Sequence, residues 1–165
     1  MEDSRWNKFK LCADYNADMR SLYLAWATPG GLEKWFLRKA DFSTIAGRTR
    51  SSDEHINKDD HYTWYWHGYD NDVLQKGKVI EANGHDLLKF TFTGDSIVTV
   101  SFKNQNGLTI IDLDQNNIPP EDDPEKNLLV QCQIGWTFYL TNLKSIIGGG
   151  KDLRNRRVGL TSCFK

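Results

Sequence analysis

His55, Asp59 and His61 fall close together in one polar stretch, and imidazole and carboxylate groups at such spacing are the usual ligands of a divalent metal ion. Asp60 adds a second carboxylate beside them. The other histidines do not extend the set. His61 and His67 are six apart in a strand-like run, on one face but ~20 Å apart at about 3.3 Å per residue, too far for one ion. The surrounding segment, GRTRSSDEHINKDD from Gly47 to Asp60, holds a single apolar residue beyond its glycine. Its composition predicts a long, mobile loop that collects polar side chains by chance, so no metal and no cofactor is expected. A nucleophile elbow, an HExxH pair and a dinucleotide or phosphate loop are all missing from the chain. Gly148 to Gly150 follow a predicted helix instead of opening one, the wrong context for cradling phosphate. No catalytic residue is assigned.

Charge and cysteine usage narrow the partners. The net charge of -1 offers no general attraction to nucleic acid or to an anionic membrane. Lys151, Arg154, Arg156 and Arg157 form a basic cluster without interleaved aromatic residues, and are read as complementing the negative end of the preceding helix. No run of eighteen apolar residues predicts a membrane span, and the polar start, MEDSRWNKFK, does not resemble a signal peptide. A soluble, cytoplasmic protein is expected. Cys12, Cys132 and Cys163 are odd in number and lack CxxC spacing, so neither a disulfide framework nor structural zinc is expected. Cys12 and Cys132 are read as small buried hydrophobes.

The chain's elements must position whatever site exists. From Pro124 to Ile147 the pattern predicts one amphipathic helix of ~24 residues, ~36 Å long, with Asp123 as N-cap and Gly148 as its stop. Leu129, Cys132, Trp136, Leu140, Leu143 and Ile147 recur at steps of three and four and form its apolar stripe. Gly135 inside it costs about 1 kcal/mol relative to alanine and suggests close approach of a sheet or a slight bend. Ahead of it, Trp6 to Ala13 reads as a strand with Phe9, Leu11 and Ala13 on one face. Two short helices follow. The first is capped by Asn16 and presents Met19, Leu22, Tyr23 and Trp26; the second is capped by Thr28, with Pro29 in its first turn and Leu32, Trp35 and Phe36 buried.

After a short strand at Lys39 to Ile45 and the polar loop comes a meander: Tyr62 to Tyr69, Val73 to Ala82, Leu87 to Thr93, Ile97 to Lys103 and Leu108 to Leu113. Alternation in Leu88, Phe90, Phe92 and in Val98, Val100, Phe102 marks the core face. For the last strand both Leu108/Ile110 and Ile111/Leu113 remain open as the inner pair. This order of elements is that of an α+β helix-grip fold, a curved antiparallel sheet wrapped around a long C-terminal helix. Residues 5–154 are read as a single domain, with 155–165 as a tail.

Two segments also look familiar. LAWATPGGLEKWF, Leu24 to Phe36, resembles the opening of domains of the START-like (SRPBCC) superfamily. GWTFYLTNLKSIIGGGKDLR, Gly135 to Arg154, resembles the end of the branch of activator of heat-shock-protein-90 ATPase homologue-like proteins. The Tyr62 to Gly68 and Gly77 to Glu81 segments fit as well, whereas the loop at 47–60 and the tail after Arg154 depart from the usual shape.

The resemblance implies a groove between sheet and long helix that holds a small apolar or amphipathic ligand. Its candidate lining is Tyr23 and Trp26 from the first helix, Trp64, Trp66, Phe90, Phe92 and Phe102 from the sheet, and Trp136, Tyr139, Leu140 and Leu143 from the last helix. The same large apolar residues also suit a filled core, because interiors close-pack by default. Val130, Ile134 and Phe138 lie ~160° round the helix from Trp136 at about 100° per residue, a second apolar strip. Either the tail from Val158 to Phe164 covers it, or it is scattered surface, or it is a protein contact serving a homodimer or a chaperone-type partner. The reading is a binding module without intrinsic enzyme activity. Its alternatives are a co-chaperone-like interaction domain, and a cyclase or hydrolase using a cavity carboxylate, for which Glu81 and Asp112 are the strand-borne acids.

Overall fold

A computed structural model describes residues 6–157. The order is β1 (Phe9–Tyr15), α1 (Met19–Ala27), α2 (Pro29–Glu33), β2 (Lys39–Ser43), β3 (His61–Tyr65), β4 (Leu74–Ala82), β5 (Leu87–Thr91), β6 (Ile97–Gln105), β7 (Leu108–Asn116) and α3 (Leu128–Ile147). The seven strands form one antiparallel sheet in the order β1-β7-β6-β5-β4-β3-β2, so β1 and β2 are its ends. Consecutive strands from β2 to β7 are neighbours; connections of eight residues or fewer join β3 through β7, whereas the long segment 44–60 joins β2 to β3. The core lies between the inner face of this sheet and the helices, and α3 presents Leu129, Cys132, Trp136, Tyr139, Leu140 and Leu143 to it. This is the α+β helix-grip arrangement expected from the order of elements.

Period-two alternation decides the inner face of each strand. In β1 Phe9 and Tyr15 are buried and Leu11 and Ala13 half-buried, so the intervening Cys12 points outward and is exposed, against the reading of it as a buried hydrophobe. Cys132, on the inner stripe of α3, is buried. In β7 the inner set is Thr109, Ile111, Leu113 and Gln115, which resolves the two open faces in favour of Ile111/Leu113.

Helix boundaries follow side-chain oxygens. Asp18 caps α1, accepting from the Ser21 N–H at 2.8 Å, where Asn16 was the expected cap. Thr28 caps α2 through the Gly31 N–H at 3.0 Å and donates its hydroxyl to the Leu24 carbonyl at 2.8 Å, joining the two helices without a linker. A Cβ on Gly31 would stand 2.2 Å from the Leu24 oxygen, so this tight junction requires glycine. The long helix starts later than expected. Asp123 closes only one isolated turn, accepting from the Glu125 N–H, while Asn127 takes the Val130 N–H at 3.1 Å and caps α3.

The segment at 47–60 corrects another expectation. Instead of a mobile loop, it is packed around Arg50, whose guanidinium pairs with the buried Asp60 and with Glu54 at 2.6 Å. Its lone apolar side chain, Ile56, is buried, and its backbone bonds to α1 and α2 through Ile56 N–H to Ala27 O and Gly30 N–H to Ser52 O. Composition alone does not reveal a buried ion pair whose partners lie ten residues apart.

Candidate functional site

Several inner side chains pair their polar ends across the fold. Gln115, wholly buried on β7, accepts the Trp136 indole N–H at 3.0 Å and donates to the Ser96 hydroxyl at 2.8 Å, which donates in turn to the Thr93 carbonyl. This chain sets the Trp136 ring against Phe36 and Phe92, with centroids 5.0 and 5.3 Å away. At the other end of α3, Asn142 donates to the Trp35 carbonyl at 2.8 Å and accepts from the Leu153 N–H at 2.7 Å.

Beside Trp136 the sheet and helix do not meet. A groove of about 620 Å³ opens there, lined by Phe36 after α2, Trp66, Tyr69 and Val73 beyond β3, Phe92 and Thr93 beyond β5, and one side of α3 from Leu128 to Tyr139. Its size falls within the ~300–1,000 Å³ of small-molecule sites. The lining is aromatic and aliphatic, with Tyr69, Thr93 and Gln131 as polar handles, and no Asp or Glu among the described residues that form it. Gly135 lies on its wall, and a Cβ there would meet no atom within 4 Å. This glycine serves neither close approach of the sheet nor tight packing; it leaves the groove its width. Burial pushes the Tyr139 phenol up to about 12, so it remains a neutral hydrogen-bonding group at ordinary pH.

The expected lining residues divide. Trp66, Phe92, Trp136 and Tyr139 line the groove. Tyr23, Trp26, Trp64, Phe90, Phe102, Leu140 and Leu143 are buried in the packed core and are not among its walls. Phe36, Tyr69, Thr93, Leu128, Gln131 and Gly135 complete the groove without having been assigned to it. Of these, Phe36 was expected on the buried side of the second short helix, after which it lies, and Gly135 as a point of close approach or bending, neither as part of a groove wall.

Val130 and Ile134 are exposed and Phe138 is half-buried; with Leu11 of β1 they line a second, shallower depression of about 520 Å³ on the other side of α3. Ile134 stands on the ridge between the two. The tail from Val158 to Phe164, proposed as a cover for this strip, lies outside the described residues.

The candidate acids are elsewhere. Glu81 is exposed on β4, and Asp112 points out from β7 with Lys103 at 2.9 Å, which holds its carboxyl below the usual range. Neither faces the groove, which corrects the reading of either as a cavity base. Asp59 pairs with Lys78 at 2.9 Å, and among the described residues no three His, Cys, Asp or Glu side chains gather as a metal-binding group. The basic cluster also divides. Arg154 is buried and donates to the carbonyls of Glu33, Lys34 and Leu37, so it closes the end of α2 and not that of α3 as expected. Asp152, at 2.7 Å, neutralises it. Burial works against ionisation of Asp152, yet the hydrogen bonds from Arg154 and Asn142 hold its carboxyl far below the usual range.

No described helix is long and apolar enough to cross a membrane. The model of the family described as "Activator of Hsp90 ATPase homolog 1-like protein" matches residues 16–148. Among solved structures, a protein from Staphylococcus saprophyticus is 15% identical with a TM-score of 0.68, covering 89% of this chain and 96% of that one. An HSP90 activator from Plasmodium falciparum is 18% identical with a TM-score of 0.62, over 86% and 96% of the two chains. The solution structure of the Aha1 dimer from Colwellia psychrerythraea is 14% identical with a TM-score of 0.67, over 87% and 98%. At these identities the likeness establishes the fold. A search of curated proteins finds no match.

Proposed function

The chain belongs to the family of Activator of Hsp90 ATPase homolog 1-like proteins, within the START-like superfamily, and on that premise we propose that it is a binding module for a small apolar or amphipathic ligand. The carrying observation is the 620 Å³ aromatic groove beside Trp136. A core that packs closely elsewhere has no structural need of such an opening. Tyr69, Thr93 and Gln131 give an amphipathic molecule places to direct its polar atoms. Binding, not turnover, is the role this lining supports, since it carries no carboxylate among the described residues. Native mass spectrometry of the protein as purified tests the reading. A retained small molecule that disappears in a Gly135→Trp variant, whose indole would fill the groove, is the expected result. Groove-directed probes that bind parent and variant equally would sink it.

A second reading, protein contact through the outer face of α3, is favoured by the exposed Val130 and Ile134 beside Leu11. The similar Colwellia protein is described as a dimer and the Plasmodium one as an HSP90 activator, so a second copy or a chaperone is the partner to test. Mass in solution decides the dimer version: a parent dimer that becomes a monomer on Ile134→Asp supports it, and two monomers remove it.

A further inference from the structure

The outward face of α3 carries no charge along most of its length. Every side chain from Asn127 to Leu143 is neutral, although Val130, Gln131, Gln133, Ile134, Thr137 and Thr141 are exposed. Ile134, 61% exposed, stands beside the 520 Å³ depression, whose walls are Leu11 and neutral side chains of α3 from Val130 to Thr141. A helix that covers a soluble core normally sets charged residues on its opposite face. A bare apolar strip about 25 Å long, at 1.5 Å per residue, needs a cover.

Charge returns at the two ends of this face, with opposite sign. Ahead of α3 stand four carboxylates, Glu121, Asp122, Asp123 and Glu125, with one base, Lys126. Asn127 donates to the Glu121 carbonyl at 2.7 Å and Gln131 to that of Glu125 at 2.6 Å, so the acidic lead is folded against the first turn of the helix. At the far end Lys144 is exposed, with Asp14 at 2.8 Å, and Lys151 is exposed and drawn to the last turn by the Ser145 hydroxyl, which donates to its carbonyl at 2.7 Å.

We propose that this face binds a second copy of the chain, with the two α3 helices antiparallel about a two-fold axis through Ile134. The inference rests on the reading of the outer face of α3 as a protein contact, and it names the partner and the register. An isologous contact needs a patch that complements itself after a half-turn. Rotation about Ile134 sets Val130 over the partner's Phe138, and the Ile134 ridge of each copy beside the depression of the other. The same rotation carries Lys144, ten positions or ~15 Å from the axis, to the partner's Pro124, between its Asp123 and Glu125. Basic end meets acidic end twice, and each helix N-terminus lies by the partner's C-terminus, as the dipoles favour. A chaperone-type partner would require no such match of the face to itself.

Sedimentation of the full chain from about 10 μM to about 1 mM reads the association. The parent is expected to form dimers, which Ile134→Asp weakens by about a hundredfold or more because two unpaired charges would meet at the axis. Ile134 is exposed, so this variant keeps its fold. Lys144→Glu and Glu125→Lys should each weaken the dimer about tenfold, a rim pair being reversed at both ends, and the double variant should regain most of the loss. Loss of the bond to Asp14 alone would not be rescued in that way. Ile134→Cys should give a disulfide-linked dimer under mild oxidation, above the background of the parent's own cysteines, since packed helices 8–10 Å apart bring facing Cα atoms within the ~4.4–6.8 Å that a disulfide spans. A dimer lost on Ile134→Asp, yet neither linked through Ile134→Cys nor restored by the charge swap, overturns the antiparallel register and leaves the contact reading standing. A dimer indifferent to Ile134→Asp overturns both. A parent that stays monomeric throughout overturns the second copy as partner and leaves the contact reading to a chaperone-type partner alone.

Discussion

Trp136 on α3 and Gln115 on β7 are joined by a 3.0 Å hydrogen bond from the indole N–H to the amide oxygen, inside a region where Gln115 has no solvent exposure. With the Tyr15 hydroxyl bond to the Leu140 carbonyl and the buried stripe of α3, this contact holds the face of the long helix that borders the groove against the sheet. Replacing Gln115 with leucine leaves the Trp136 donor unpaired and removes the amide donor from the Ser96 hydroxyl, which keeps its bond to the Thr93 carbonyl. The expected loss is about 1–3 kcal/mol of unfolding free energy, read by urea denaturation. An unchanged midpoint would show that the contact does not hold the helix.

Gly135 separates helix propensity from groove volume. Gly135→Ala adds a methyl group that meets nothing within 4 Å and removes backbone freedom from the unfolded chain, so it should stabilise by up to ~1 kcal/mol without loss of ligand. Thermal melts of the alanine variant check the first half. Probe titration of parent and alanine variant checks the second.

Arg154 offers another such loss. Its guanidinium serves three carbonyls at the end of α2 and the Asp152 carboxylate, all from a buried position. Arg154→Ala strands those carbonyl acceptors, while Asp152 keeps Arg156 and Asn142 as partners, and should cost about 1–3 kcal/mol. Limited proteolysis should then cut first between Gly148 and Asn155, the segment that Asn142 and Arg154 pin down. Cleavage that starts elsewhere, with unchanged stability, would contradict this role.

His67 gives the protein a pH dependence near neutrality. Burial, together with the charges of Arg154, Arg156 and Arg38, holds its imidazole below the ordinary value. The unfolded chain therefore takes up a proton near pH ~6.5 that the folded protein resists. Stability should fall as pH drops through that value, and level off once the folded imidazole is protonated. His67→Gln should flatten this step in denaturation midpoints measured between pH 7.5 and about 5.

Asp152 acts in the acid range. Its lowered value means that its contribution is complete above the unfolded carboxylate pKa of ~4 and is lost as pH falls through the folded value. Asp152→Asn should therefore lower stability at neutral pH and shrink the difference from the parent toward strong acid, followed by the same denaturation series.

What the chain declares by itself is its local order. Period two in Leu88, Phe90, Phe92 and period 3.6 in Leu129, Cys132, Trp136, Leu140 are properties of neighbouring residues, because a strand and a helix each aim side chains by fixed rotations of the backbone. From these alone the strands, the long helix and the grip topology could be written down, and the outward position of Cys12 was already implied by the inward set of β1. The last strand resisted because both of its faces carry apolar residues, Leu108 and Ile110 outside against Ile111 and Leu113 inside, with polar Thr109 and Gln115 on the buried side. Only the tertiary structure decided which aromatic residues fill the core and which border open space. Trp64 and Trp66 are alike in type and share a face, yet one is sealed beneath Phe36 while the other lines the groove. That difference arises from where the end of α2, the rim of the sheet and the flank of α3 happen to stop short of one another. Distances of that kind, like the meeting of Arg154 with carbonyls some 120 positions away, are set by the sum of all packing contacts and are written in no single stretch of residues.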